Sequence, residues 1–272
     1  MTVRDALRDG ERRLDAAGVP TPRVDAELLL AYVIGTTRSG VYARLDEPVD
    51  GRWEQLVARR EAREPLAYVL GEWGFRRLTL RVDARVLVPR PETELVVERC
   101  LALIAEIQEP AVLDVGTGSG AIALAIADEH PGGRVMAIDS SASALDLARE
   151  NARLAAAEVE FAEHDLWTGL PPGAWDLVVA NPPYVPEGDI ERLAPEVRDW
   201  EPREAILDRG QTEAVILAAR KVLRPGGMLV VETHWHGAGA VARAVAAAGY
   251  GNPKITKDLA GLERVVEARW PT

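Results

Sequence analysis

The chain has 272 residues, 47% of them hydrophobic, and a formal net charge of −11. This length suffices for one large domain or two modest ones with a substantial core. The negative charge argues against broad contact with phosphates, so we expect no direct nucleic-acid binding. A single cysteine, the absence of a membrane-length apolar run and a start unlike a signal peptide predict a cytoplasmic protein without membrane association.

The first part of the chain, residues 1–72, is predicted to be a helical domain. Thr2 has the side chain of a helix N-cap, and Pro22 suits the first position of a second helix that ends before Gly35. The partly alternating apolar positions that follow predict a β-hairpin linker over residues 73–88. A domain boundary is therefore expected at the end of this linker.

The remaining residues, 89–272, alternate predicted strands and helices. The first five strands are expected at about 111–115, 134–138, 158–162, 176–180 and 228–232. Such alternation predicts an α/β fold with a mostly parallel, doubly wound sheet. The last two strands, 251–257 and 263–269, are too close in sequence for a parallel crossover, so we expect them to pair antiparallel. This Rossmann-like, seven-stranded order resembles class I S-adenosylmethionine-dependent methyltransferases more than dinucleotide-binding dehydrogenases.

The sequence DVGTGSG at 114–120 predicts a tight turn between a strand and a helix. Gly116, Gly118 and Gly120 allow the backbone to bend and to approach a ligand, and the following helix N-terminus offers free N–H groups. Asp139 ends the next strand at the spacing of a ribose-binding acid. Together these residues predict a nucleoside site, which by itself suits either a dinucleotide or S-adenosyl-L-methionine.

Two further observations favour S-adenosyl-L-methionine. The spacing G-x-G-x-G, with Asp114 two residues before the first glycine, resembles motif I of the class I methyltransferases. A carboxylate there suits a cationic methionine moiety. The less favoured alternative is that Asp114 only caps the turn. We also expect Asp165 to accept a hydrogen bond from the adenine amino group, with Leu166 or Trp167 against the ring. The histidines lack the spacing of metal ligands, and no metal site is predicted.

The tetrapeptide NPPY, Asn181 to Tyr184, directly follows an apolar strand. The Asn181 Oδ1 and the Pro182 carbonyl can accept the two protons of a planar NH2 group, with Tyr184 as a flat apolar wall. An amide or exocyclic amino nitrogen becomes nucleophilic only when its protons are held and its lone pair faces an electrophile. The alternative is a loop that merely ends a strand.

With these motifs in place, the chain resembles the release factor glutamine N5-methyltransferase family, known as PrmC or HemK. The shared segments are DAELLL and EPLAYVLG, LVPRPETE at 87–94, the glycine turn, NPPY, EPREAILD at 201–208 and LERVV at 262–266. The loop after the fifth strand departs from the family pattern and reads ETHWHGA at 232–238. Within LVPRPETE, Pro91 suits a helix start with Glu92 and Glu94 in its first turn.

The resemblance implies methylation of the glutamine in the GGQ loop of class I peptide chain release factors. Asn181 and Pro182 would hold the amide protons, Pro183 would keep the loop rigid and Tyr184 would pack beside the glutamine, while the N-terminal helices would grip the release factor. The implied cofactor-binding residues are Asp114, Gly116, Thr117, Gly118, Ser119, Gly120, Asp139, Asp165, Leu166, Trp167 and Asn181.

Three other functions use parts of the same pattern. A DNA or RNA base amino-group methyltransferase would apply NPPY to a flipped base, and a basic binding surface would be expected. A dehydrogenase that binds NAD through the glycine turn is disfavoured by the C-terminal hairpin. A binding module without turnover would be expected to carry a damaged NPPY. We therefore expect in-line transfer of the methyl group to the amide nitrogen, without a covalent enzyme intermediate.

Overall fold

The computed structural model describes every residue from Met1 to Thr272, and the chain divides into two compact units. The first comprises Met1–Glu72 and Leu193–Trp200, and the second comprises Trp73–Arg192 and Glu201–Thr272. The first unit therefore includes a segment that lies far along the chain. None of the helices in either unit has both the length and the apolar character needed to cross a bilayer.

The first unit is helical and has its own hydrophobic core. Its helices from the N-terminal part of the chain are α1 (Val3–Ala16), α2 (Pro22–Ile34), α3 (Arg52–Glu61) and α4 (Leu66–Leu70). The Thr2 side chain accepts from the Asp5 backbone N–H in a capping box at the start of α1. Pro22 occupies the start of α2, and Gly35 ends it in the left-handed conformation.

The distant segment Leu193–Trp200 is fastened within this first unit by charged groups. The Glu196 carboxylate accepts from Arg60 Nη2 at 2.8 Å and from Arg63 Nη2 at 2.7 Å. Arg60 is buried and also pairs with Asp25 at 2.7 Å. Buried guanidinium groups need such partners, so these contacts explain why a late segment packs with the N-terminal helices.

The second unit begins with a two-stranded hairpin of β1 (Glu72–Phe75) and β2 (Leu78–Arg81). The Arg76 backbone N–H in the turn donates to Glu94 Oε1 at 2.9 Å. At the other end, Asn151 Oδ1 accepts from the Arg81 N–H at 2.7 Å. Polar side chains of the following helices therefore hold both ends of the hairpin.

The rest of the second unit alternates helices and strands. These elements are α5 (Thr93–Ile104), β3 (Ala111–Val115), α6 (Ala121–Glu129), β4 (Arg134–Asp139), α7 (Ala142–Ala155), β5 (Glu160–Glu163), β6 (Trp175–Ala180), α9 (Gln211–Ala219), β7 (Leu223–Glu232), α10 (Ala238–Ala247), β8 (Gly251–Lys257) and β9 (Glu263–Arg269), with the short α8 (Pro195–Arg198) belonging to the first unit. Successive residues of each strand point to opposite faces of the sheet, and each face contributes to one of two hydrophobic core clusters.

The large sheet has seven strands in the order β5-β4-β3-β6-β7-β9-β8. All pairs from β5 to β7 are parallel, and β9 runs antiparallel to both β7 and β8. The predicted fold class is confirmed, including the antiparallel C-terminal hairpin. The strand predicted at 228–232 begins earlier, at Leu223, because Leu223 pairs with Trp175 across a register shift in β6.

Candidate active site

A cavity of about 300 Å³ opens in the second unit where β3, β4 and β6 reach their carboxyl ends. Parallel α/β sheets bind ligands at this edge, and the volume is at the lower end for a ligand pocket. The lining is contributed by residues of the segments 85–90, 115–119, 138–141, 164–167, 181–183 and 202–205, together with side chains from α5, α6, α7 and α9.

The glycine turn forms one wall of this cavity. Gly116 and Gly118 have φ values of +74° and +54°, and an added Cβ at either position would meet open space. Glycine is favoured there because other residues are strained at such angles. Gly120 differs, because a Cβ on it would lie 3.0 Å from Leu124 Cδ1. Gly120, with a φ of +84°, packs against α6, and Gly116 and Gly118 are the glycines of the turn that line the cavity.

Asp139 and the glycine turn are joined by hydrogen bonds. The Gly118 N–H donates to Asp139 Oδ2, and the Ser141 N–H donates to Oδ1, both at 2.9 Å. Burial raises the pKa of Asp139, and these backbone bonds oppose the change. Asp139 lines the cavity at the end of β4, where the sequence predicted the ribose-binding acid.

Asp114 does not line the cavity and is fully buried beneath the turn. Its Oδ2 accepts from the Thr117 hydroxyl at 2.7 Å. Burial raises the pKa of Asp114 to about 7, against hydrogen bonds from Thr117 and the Ala123 backbone. The geometry therefore makes Asp114 a support for the turn, whereas Thr117 and Ser119 do line the cavity.

The loop after β5 supplies another part of the wall. Asp165 caps the short 3-10 helix Leu166–Thr168 by accepting from the Trp167 N–H at 3.0 Å. Trp167 is 60% exposed and lines the cavity together with Asp165 and Leu166. An exposed indole at a cavity rim is an apolar surface on which a flat ring can stack.

The NPPY segment enters the same cavity from the end of β6. Asn181, Pro182 and Pro183 line it, and Asn181 Nδ2 donates to Thr93 Oγ1 at 3.3 Å. This bond leaves Asn181 Oδ1 as the acceptor that the side chain offers to a ligand. Tyr184 lies outside the lining, with its ring centroid 6.1 Å from that of His234. Burial raises the pKa of Tyr184 to about 12.

Several residues of the site were not identified from the sequence. Thr93 contacts Asn181, and Arg90 lines the cavity while it pairs with Glu201 at 2.6 Å. Asn151 Nδ2 donates to the Ser119 carbonyl at 2.9 Å and so holds the glycine turn. Arg90 and Glu201 belong to the segments LVPRPETE and EPREAILD, whose composition was the one signal available for them. Asn151 gives no such signal, because a polar residue in a helix is ordinarily solvated.

Two family models match the sequence. Residues 5–71 match the PrmC N-terminal domain, and residues 93–196 match the methyltransferase small domain. These ranges include most of the helical first unit and the part of the second unit that carries the glycine turn, Asp139 and NPPY.

Proteins named release factor glutamine methyltransferase are similar over most or all of the chain. The Deinococcus radiodurans protein is 42% identical, with 99% of each chain covered. The Burkholderia pseudomallei protein is 40% identical, with 93% of each covered, and the Streptomyces coelicolor protein is 44% identical, with 81% of each covered. Similarity of this extent covers residues of both units.

Among solved structures, the second unit's architecture is shared with more distant methyltransferases. A T. thermophilus 16S rRNA methyltransferase, solved with AdoMet and guanosine, aligns with a TM-score of 0.53 at 17% identity, covering 73% of this chain and 49% of that one. A methyltransferase from Pyrococcus furiosus aligns with a TM-score of 0.52 at 16% identity, covering 72% and 90%. At these identities the comparison establishes the fold alone.

Proposed function

The chain belongs to the release factor glutamine methyltransferase family, and from that premise we propose that it methylates a glutamine side-chain amide of class I release factors with S-adenosyl-L-methionine. The finer assignment, to the glutamine of the GGQ loop, follows from the family resemblance. The observation that supports it most directly is that one cavity has two kinds of lining. The glycine turn and Asp139 suit a nucleoside, and Asn181 and Pro182 offer acceptors for an amide.

The residues of the cavity fit S-adenosyl-L-methionine. The positive φ angles of Gly116 and Gly118 bring bare backbone to the cavity, and α6 begins there without a side-chain cap. Asp139 provides a carboxylate for the ribose hydroxyls, and the exposed Trp167 offers a surface for the adenine. When bound, S-adenosyl-L-methionine supplies an electrophilic methyl group.

The chain's own contribution to the chemistry is to orient the glutamine amide. Asn181 Oδ1 and the Pro182 carbonyl accept hydrogen bonds from its two N–H groups and thereby turn the nitrogen lone pair towards the cavity. As the nitrogen acquires positive charge, its protons become more acidic and both hydrogen bonds strengthen, which stabilises the transition state selectively. One of the two N–H protons would be lost to solvent with or after methyl transfer, so no side chain needs to deprotonate the amide first.

The helical first unit is the proposed region for recognising the release factor, since it matches the PrmC N-terminal domain and carries its own core. Its function would then differ from that of the second unit, which contains the whole cavity lining. A protein partner is consistent with the net charge of −11, which disfavours binding through phosphates.

The test is an assay with radiolabelled S-adenosyl-L-methionine and a purified class I release factor. A factor with the GGQ glutamine changed to alanine is the matched control, and tRNA, rRNA and duplex DNA are present as competing substrates. We expect label on the unaltered factor alone. Label on a nucleic acid, with none on the factor, would show that NPPY serves a base amino group.

A further inference from the structure

Glu232 is a buried carboxylate that the proposed reaction does not use. It ends β7, is 1% exposed, and its Oε2 has no hydrogen-bond partner. A carboxylate in such surroundings costs free energy, so it needs an explanation. Burial raises the pKa of Glu232 to about 7, and the hydrogen bond from Thr93 opposes the change.

The sheet brings Glu232 next to the NPPY segment. In the parallel pairing of β6 with β7, Ala180 lies opposite Val231. Asn181 directly follows β6, and Glu232 is the last residue of β7. Thr93, at the start of α5, accepts from Asn181 Nδ2 at 3.3 Å, and a side-chain hydrogen bond from Thr93 lowers the pKa of Glu232.

The direction of the hydrogen bonds of Thr93 with Glu232 and with Asn181 follows from which group has a proton to donate. An ionised carboxylate only accepts, so the single proton of the Thr93 hydroxyl is donated to Glu232. The Thr93 oxygen is then left as an acceptor, which suits the Nδ2 of Asn181 and not its Oδ1. The side-chain amide of Asn181 is thereby fixed with its oxygen available to the cavity.

We propose that Thr93 and Glu232 are positioning residues that hold the Asn181 amide in the orientation that accepts a substrate N–H. The proposal rests on the proposed function, since it deepens the role of Asn181 in that reaction. Without the two residues the amide can rotate by half a turn, and Nδ2 then faces the substrate amide. Two N–H donors cannot bond, so the substrate nitrogen loses one of its two acceptors.

Protonation of Glu232 should also release the Asn181 amide from its fixed orientation, as the loss of Thr93 or Glu232 would. A protonated carboxyl can donate to the Thr93 oxygen, and the Thr93 proton is then free to engage Asn181 Oδ1. The charged groups that act on Glu232 are Arg264 and Arg90, which favour the carboxylate, and Glu92, which disfavours it. The Tyr184 hydroxyl is close enough for Glu232 to raise its pKa and is neutral in this range.

Kinetics of three variants test the positioning role of Thr93. We expect Thr93→Val to lower kcat by about tenfold, as loss of one hydrogen bond predicts, with cofactor affinity within a factor of about three of wild type. Thr93→Ser, which keeps the hydroxyl, should restore most of kcat. Thr256→Val is the matched control, because the Thr256 hydroxyl is buried without a partner in β8 and outside the site.

The pH dependence supplies a readout that a merely structural role would not change. In wild type, kcat should fall as the pH drops through about 7, where Glu232 becomes protonated. Glu232→Gln cannot titrate, so this limb should disappear. An unchanged limb in Glu232→Gln, or a wild-type kcat in Thr93→Val, would overturn the proposal.

An activity-independent measurement separates this proposal from the proposed function. The chain has three asparagines, Asn151, Asn181 and Asn252, so selective ¹⁵N labelling gives few side-chain amide signals. The Asn181 signal, identified by its absence in Asn181→Ala, should shift with pH near 7 in wild type and remain still in Thr93→Val. A signal that titrates identically in both proteins would refute the positioning role of Thr93 and Glu232. Wild-type protein that leaves the release factor unmodified, while this signal behaves as expected, would refute only the proposed function.

Discussion

Arg90 Nη2 donates to both carboxylate oxygens of Glu201 at 2.6 Å, although the two residues are 111 positions apart in the chain. The Glu201 side chain is 1% exposed, whereas that of Arg90 is 32% exposed. Arg90 lines the cavity and Glu201 precedes its wall at 202–205. The pair therefore joins the segment LVPRPETE, before α5, to the loop beyond NPPY.

Removing Arg90 should destabilise the protein, because the buried Glu201 carboxylate then loses its ion-pair partner. We expect Arg90→Met to lower the free energy of unfolding by roughly 1–3 kcal/mol, less than for a fully buried pair because Arg90 is partly solvated. Urea unfolding measures this, with Arg192→Met in an exposed ion pair as the control. The double variant with Glu201→Met should regain most of the loss, and failure to do so would contradict this explanation.

The pH dependence of stability should reveal the cost of ionising the buried Asp114 carboxylate. Its pKa in the folded protein is about 7, above the ordinary value of 3.8. Because this pKa is raised, the contribution of Asp114 to the free energy of unfolding is fully present below about pH 4 and is lost as the pH rises through 7. Asp114→Asn retains an acceptor for Thr117 and should be more stable than wild type at pH 8 by roughly 2–4 kcal/mol.

Thermal unfolding of both proteins across this pH range, without cofactor, measures the difference. Asp46→Asn serves as the control, because the Asp46 side chain is 87% exposed. Equal stability of wild type and Asp114→Asn at pH 8 would mean that the Asp114 carboxylate carries no burial cost.

The glycine turn should bind cofactor less well when its backbone is strained. Gly118 has a φ of +54°, and a Cβ built on it would meet open space. Gly118→Ala should therefore strain the backbone without causing a steric clash. We expect cofactor affinity to fall by about fivefold, which corresponds to about 1 kcal/mol of strain. Calorimetric titration should show no change for Gly51→Ala, where φ is −67°. Equal affinities in all three proteins would place the cofactor elsewhere.

Asn181 should matter more for turnover than for binding. Asn181→Ala removes an acceptor whose bond strengthens in the transition state, so kcat should fall by roughly 10²–10³. Cofactor affinity should change by less than about threefold, because the glycine turn and Asp139 remain. Steady-state kinetics with release factor, beside calorimetry with cofactor, measure the two quantities. Equal losses in both would show that Asn181 acts mainly as a cofactor ligand.

The sequence was sufficient for features determined by local pattern. The strands at 111–115, 251–257 and 263–269 have the predicted bounds, and Thr2 and Gly35 cap their helices as expected. These elements follow from periodicity and capping, which depend on near neighbours in the chain.

Features that depend on tertiary contacts were not predictable in the same way. The membership of Leu193–Trp200 in the helical unit rests on Glu196 meeting two arginines that lie more than 130 positions away. The contact of Thr93 with Asn181 spans 88 positions. Spacing also could not show that Asp114 supports the turn from below, because this depends on the direction of its side chain relative to the cavity.

The most direct test is to locate the methyl group by tandem mass spectrometry of a class I release factor incubated with the enzyme and S-adenosyl-L-methionine. We expect one added methyl group on the side-chain amide of the GGQ glutamine, with much less of it when the enzyme carries Asn181→Ala. A methyl group on another residue, or an unmodified factor with an active enzyme on nucleic acid, would contradict it.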